Sequence, residues 1–80
     1  MPNTIFTAEH TRFVKALSVV RRDAGVTQAE LSTALGRNQS YISNIERGQR
    51  RVDVIEFCEI ARALGREPVE LFTVLLHRAS

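Results

Sequence analysis

One cysteine, Cys58, stands in the whole 80-residue sequence. A lone cysteine excludes an internal disulfide and a cysteine-based zinc cage, and it suits a reduced, cytoplasmic compartment. Long apolar runs are missing too: no stretch reaches the ~18 residues that a membrane span needs. Met1 to Thr11 hold no basic start followed by an apolar block, so no secretory leader is expected. There is no strand-like alternation, no internal repeat and no low-complexity stretch. No nucleophile–base pair, phosphate-cradling glycine loop or metal-ligand set is visible, so neither an enzyme nor a cofactor is expected, and no small-molecule ligand is evident. His10 and His77 lie near opposite chain ends, which argues against a shared metal.

What is present is ordinary globular composition, 44% apolar and 25% charged. The length suits one small domain over residues 1–80, with its core at about 13–75 and frayed ends at 1–6 and 78–80. So short a chain buries only ~60% of the surface its unfolded form exposes, which leaves a thin stability margin.

The charge is unevenly placed. Residues 37–51 carry Arg37, Arg47, Arg50 and Arg51 against Glu46 alone. Residues 52–70 carry Arg62 and Arg66 against Asp53, Glu56, Glu59, Glu67 and Glu70. Lys15 is the only lysine, so the basic side chains are almost all arginine, the planar donor suited to phosphate and to guanine edges. A basic stretch beside an acidic one marks one face for an anionic polymer and leaves the other solvated.

The pattern predicts five helices separated by four glycine stops, an all-α fold. Thr7 caps a first helix whose stripe is Phe13, Leu17, Val20 and Ala24, ended by Gly25. Thr27 and Glu30 fit a capping box for a second helix that ends at Gly36. Asn38 starts a third helix reaching Glu46 or Arg47 before Gly48. Asp53 and Glu56 repeat the capping-box spacing for a fourth, which buries Phe57, Ala61 and Leu64 before Gly65. Pro68 opens a fifth that runs to about His77.

At about 100° per residue, Gln39, Ser40, Ser43, Asn44 and Arg47 of the third helix fall within an arc of roughly 140°. Ile42 and Ile45 point the opposite way, with Tyr41 and Glu46 on the flanks. A merely solvated face is usually richer in Lys and Glu. Short amides and hydroxyls with an arginine suit base edges in a major groove, where an amide pairs with adenine and an arginine with guanine.

The stretch RRDAGVTQAELSTALGRNQSYISNIERGQR (residues 21–50), followed by EIARALG (59–65), resembles the phage-repressor and Cro-type helix-turn-helix family of prokaryotic regulators, the lambda repressor-like fold. The resemblance implies a five-helix domain that binds operator DNA as a two-fold dimer and regulates transcription, as a repressor in the reading preferred here. It implies that Gln28 contacts the DNA backbone and that Gln39, Ser40 and Asn44 read bases, with Ser43 close by. Arg47, Arg50 and Arg51 would grip phosphate, and Arg37, Asn38 and Tyr41 are expected to add phosphate contacts. Arg21 and Glu46 match a paired arginine and glutamate joining the first helix to the end of the recognition helix. Arg37 and Arg66 depart from the pattern, standing where an apolar residue usually follows the glycine. Ser32 replaces the usual alanine where the second and third helices cross, a change expected to be tolerated.

Cys58 is expected in the core, and Glu56 and Glu59 are read as neighbours with no paired role. Helix five carries more apolar residues than a core stripe needs: Leu71, Phe72 and Leu75 suffice, and Val74 and Leu76 are left for a homodimer surface. The expected partners are double-stranded DNA and a second copy, with no membrane. The alternative is an antitoxin-like protein-interaction module whose DNA binding is secondary.

Overall fold

The structure, a computed structural model, describes residues 7–79. It contains five helices and, among the described residues, no strand: α1 (Ala8–Asp23), α2 (Gln28–Ala34), α3 (Tyr41–Glu46), α4 (Val54–Ala63) and α5 (Pro68–Ala79). The capping chemistry follows the residues that signalled it. Thr7 accepts from the His10 N–H, and both Thr27–Glu30 and Asp53–Glu56 close complete capping boxes.

Gly36 ends α2 at φ +69°, a backbone region open to glycine with little strain. Its N–H donates to the Thr33 carbonyl and the Arg37 N–H to the Ser32 carbonyl, a complete Schellman closure. That closure turns the chain sharply from α2 toward α3.

The core is built from Val14, Leu17 and Val20 of α1, Leu31 of α2, Ile42 and Ile45 of α3, Ile60 and Ala61 of α4, and Leu71 and Leu75 of α5. Ile45, Ile60, Leu71 and Leu75 have no solvent exposure, and each such burial contributes about 2–3 kcal/mol. α1 lies along α5 and also reaches α3, while α2 packs on α3 and α4. The two-helix unit α2–α3 is thereby clamped against the rest of the domain.

Several expectations are corrected. The α1 stripe is Val14, Ala16, Leu17 and Val20; Ala24 is the exposed residue just past the helix. Phe13, Phe57 and Phe72 do not enter the centre. They stack edge on tilted face with ring centroids 5.9–6.1 Å apart, and Phe72 stays 45% exposed. Three rings of that volume do not fit among aliphatic side chains already at full contact, so they collect on the flank. Cys58 lies beside them and is half-buried rather than in the core.

Residues 78 and 79 are helical, not frayed: Ala79 is buried and its carbonyl accepts from Arg12 Nε at 2.8 Å. That bond ties the last turn of α5 back to α1. Residues 1–6 and 80, also expected to fray, lie outside the described residues.

Candidate nucleic-acid interface

α3 is shorter than its sequence suggested. Asn38 Oδ1 accepts from the Ser40 N–H at 2.9 Å and from the Ser40 hydroxyl at 2.8 Å, closing a turn of its own ahead of the helix. Regular α-helix therefore starts at Tyr41, with Asn38 one turn upstream instead of at the cap. Gln39 and Ser40 project from this turn and are exposed, while Ser43 and Asn44 are half-buried one turn further on. Asn44 Oδ1 accepts from Arg47 Nη2 at 2.6 Å, which sets the orientation of its amide. Ile42 and Ile45 lie beneath, in the core. The polar residues thus share one side of the turn and helix, with the two isoleucines as its anchor.

Two buried polar contacts fix this element against α1 and α2. Ser32 has no solvent exposure; its hydroxyl donates to the Gln28 carbonyl at 2.9 Å and accepts from the Ile42 N–H at 3.1 Å. The Ile42 N–H belongs to the first turn of α3, where backbone donors lack helical partners. Ser32 supplies that partner from α2. The expectation that serine is merely tolerated here understates it.

At the other end, Glu46 closes α3 onto α1. Arg21 Nε donates to Glu46 Oε2 at 2.7 Å and Arg21 Nη2 to Oε1 at 3.1 Å, both side chains being only 8% exposed. A third Arg21 donor, Nη1, reaches the Val26 carbonyl at 2.7 Å. Gln28 Nε2 adds a bond to Glu46 Oε1 at 2.7 Å. The expected pair is present, and Gln28 is drawn into it as a bridge from α2.

The basic side chains form a second cluster. Tyr41, expected on the flank, is only 6% exposed, and the guanidinium groups of Arg37 and Arg50 lie 4.5 and 4.8 Å from its ring centroid. Its buried ring is a platform for two cations. Burial pushes the Tyr41 phenol up from its ordinary value, and the Glu56 charge adds to the rise. Arg37 takes the post-glycine position by laying its head over this ring instead of inserting an apolar side chain.

Glu56 ties the cluster together. It accepts from Arg50 Nη1 (3.1 Å) and Nη2 (2.9 Å), from Arg37 Nη2 (3.3 Å) and from the Asp53 N–H (3.1 Å). These donors, Arg50 foremost, hold its carboxyl down at about 2 against the opposing effect of burial. The same bond raises Arg50 above its ordinary value. Glu56 is the residue that sequence reading missed. Its capping-box spacing was visible, but Arg50 lies across a loop where no periodicity predicts contact. Arg47 is exposed at the end of α3, while Arg51, also exposed, is not brought to the α3 face: it lies beside His10 of α1 and Phe72 and Leu76 of α5.

The comparisons with known proteins agree with this geometry. A family model described as helix-turn-helix (HTH_3) matches residues 19–71, which span α2, α3, α4 and parts of α1 and α5. An uncharacterized HTH-type transcriptional regulator of Sinorhizobium fredii, y4dJ, is 46% identical over 54 residues, which cover 68% of this chain and 70% of that protein. Among solved structures, an XRE-family like protein from Pseudomonas syringae pv. tomato matches with TM-score 0.78 and 41% identity, covering 85% of this chain and 83% of that one. The restriction-modification controller protein C.AhdI from Aeromonas hydrophila matches with TM-score 0.74 and 36% identity, covering 82% of this chain and all of that one. With two helices crossing at Ser32, a polar third helix anchored by isoleucines and a matched family model over most of its core, the chain belongs to the helix-turn-helix (HTH_3) family of XRE type.

Proposed function

We propose that this chain is a sequence-specific DNA-binding transcriptional regulator that represses by occupying its operator. In this reading Gln39, Ser40, Ser43 and Asn44 meet base edges in the major groove. Arg37, Arg47, Arg50 and Arg51 hold the phosphate backbone, with Asn38 and Gln28 completing the contacts along the turn and α2. Tyr41 serves as the ring beneath two of those arginines. The observation that carries the proposal is the pairing of an exposed or half-exposed polar side of α3 with buried Ile42 and Ile45 under it, with Arg47 bonded to Asn44 and Arg37 and Arg50 held over Tyr41. The relatives' names, HTH-type transcriptional regulator and restriction-modification controller, support the same assignment.

The reading includes a two-fold dimer on a palindromic site in the cytoplasm, its recognition helices about 34 Å apart. Support comes from the apolar side chains left in solvent: Val54 and Ile55 at the start of α4, and Val69, Phe72 and Leu76 on α5. Val74, singled out with Leu76 from the sequence, is half-buried, so Leu76 and Phe72 carry more of the surface. The antitoxin-like alternative draws on the same apolar residues and requires a copurifying partner.

Selection of bound sites from random duplexes, with the mass of the free and bound protein measured in parallel, tests this. The expected result is a two-fold symmetric consensus bound at nanomolar concentration by two copies. No enrichment of any sequence, or a stable heteromer that does not touch DNA, refutes it.

A further inference from the structure

The Glu56 carboxylate neutralises part of the basic cluster that the proposed function assigns to phosphate. It binds both Arg50 and Arg37, while Tyr41 lies under both guanidinium groups. Of five N–H donors on each arginine, Arg37 gives one to Glu56, and Arg50 gives two to Glu56 and one to the Arg51 carbonyl. Each guanidinium therefore keeps donors outside the carboxylate, and each side chain is 37% exposed. Two cations held by one anion carry less net attraction for any polyanion than two unpaired cations. They are also fixed in place before binding, so less side-chain freedom is lost when a phosphate arrives.

We propose that Glu56 sets specificity at the DNA interface: it holds Arg37 and Arg50 over Tyr41 in a charge-compensated arrangement, lowering affinity for arbitrary phosphate backbone while keeping both guanidinium groups positioned for the operator. Specificity is a ratio, and weakening the competitor raises it as surely as strengthening the preferred partner. This role rests on the DNA-binding reading above and adds a residue that touches no DNA itself.

The test uses the full chain, with Glu56→Gln as the variant. The Gln amide oxygen can still accept from the Asp53 N–H, so the α4 cap survives. Glu59→Gln, on an exposed residue of the same helix, is the control for the equal change in net charge. Binding to a random-sequence duplex and to the selected operator is measured from 50 to 200 mM salt. For Glu56→Gln, affinity for random duplex should rise about three- to tenfold at 50 mM salt. The log–log salt slope should steepen by about one, and the operator-to-random ratio should fall at least threefold.

Glu59→Gln should leave slope and ratio near wild type. Equal effects from both variants would overturn the role by reducing it to overall charge. A Glu56→Gln protein with lowered melting temperature, both affinities reduced together and an unchanged slope would overturn it in favour of a structural role. Wild-type binding with an unaltered Gln variant removes Glu56 alone from the account, whereas a wild type that binds no duplex removes the DNA-binding reading beneath it.

Discussion

Replacing Glu46 with Ala removes the acceptor for two Arg21 donors and one Gln28 donor at once. Arg21 would then keep only its bond to the Val26 carbonyl, in surroundings that leave its side chain 8% exposed. An arginine cannot shed its proton to escape burial, so the charge stays, short of compensation. Breaking such a buried pair by deleting one member costs about 3–5 kcal/mol. An 80-residue domain holds on the order of 4–12 kcal/mol in total, so the variant loses a large share of its stability. At about 4–8 °C per kcal/mol for a domain of this size, the melting temperature should drop by about 12–40 °C.

Replacing both members separates stability from orientation. Arg21→Met with Glu46→Leu leaves no buried charge, and apolar replacements of such pairs are often neutral or stabilising. The double variant should melt within about 5 °C of wild type, yet bind operator more weakly, because the far end of α3 has lost its hydrogen-bonded tie to α1. Thermal melts followed by circular dichroism, with operator binding by fluorescence anisotropy, read both quantities. A Glu46→Ala protein that melts within about 3 °C of wild type would refute the energetic reasoning. A double variant with full operator affinity would refute the orienting role.

Three further outcomes follow from the same contacts. Ser32→Ala strands the buried Ile42 N–H and should destabilise by about 1–3 kcal/mol, seen in chemical denaturation as a lower midpoint with an unchanged m-value. Arg47→Ala or Arg51→Ala should weaken binding to every duplex and flatten the salt slope by about one per lost phosphate contact, whereas Gln39→Ala or Asn44→Ala should relax preference at particular base pairs; equal weakening at all sites by the latter would contradict the base-reading assignment. Because the folded carboxyl of Glu56 sits at about 2, below its ordinary 4.5, its contribution is complete above about pH 5 and fades as pH falls toward 2. Melts at pH 3 and pH 6 should therefore differ by more in wild type than in Glu56→Gln, and identical differences would show that the carboxylate adds nothing.

Much of this architecture is legible in the residues because its signals are local. Thr27–Glu30 and Asp53–Glu56 are capping boxes at fixed spacing, and Gly36 supplies the positive φ the turn needs. Ile42 and Ile45 fall on the buried side by periodicity alone. Arg21 and Glu46 lie 25 residues apart, and no periodicity joins them; the family resemblance did.

What stayed hidden depends on packing across loops. Glu56 meets Arg37 and Arg50 only once α4 has docked beside the turn, and Tyr41 becomes a platform only once both arginines lie over it. Ser32 looked like a tolerated substitution because its acceptor role depends on where α3 begins, two residues later than Asn38 and Gln39 suggested. Hydrophobicity alone places Phe72 in the core, yet the three phenylalanines compete for volume that Leu71 and Leu75 already fill.

If the polar side of α3 and the arginines after it form the surface that meets DNA, the backbone there must respond when operator binds. The most direct measurement is the map of backbone amide chemical-shift changes when the labelled protein is titrated with the operator duplex recovered by selection. The largest changes should fall on residues 38–47 and on the following loop to Asp53, with the amide of Gln28 included. Changes confined to Val69–Leu76 on α5, with α3 silent, would contradict that assignment.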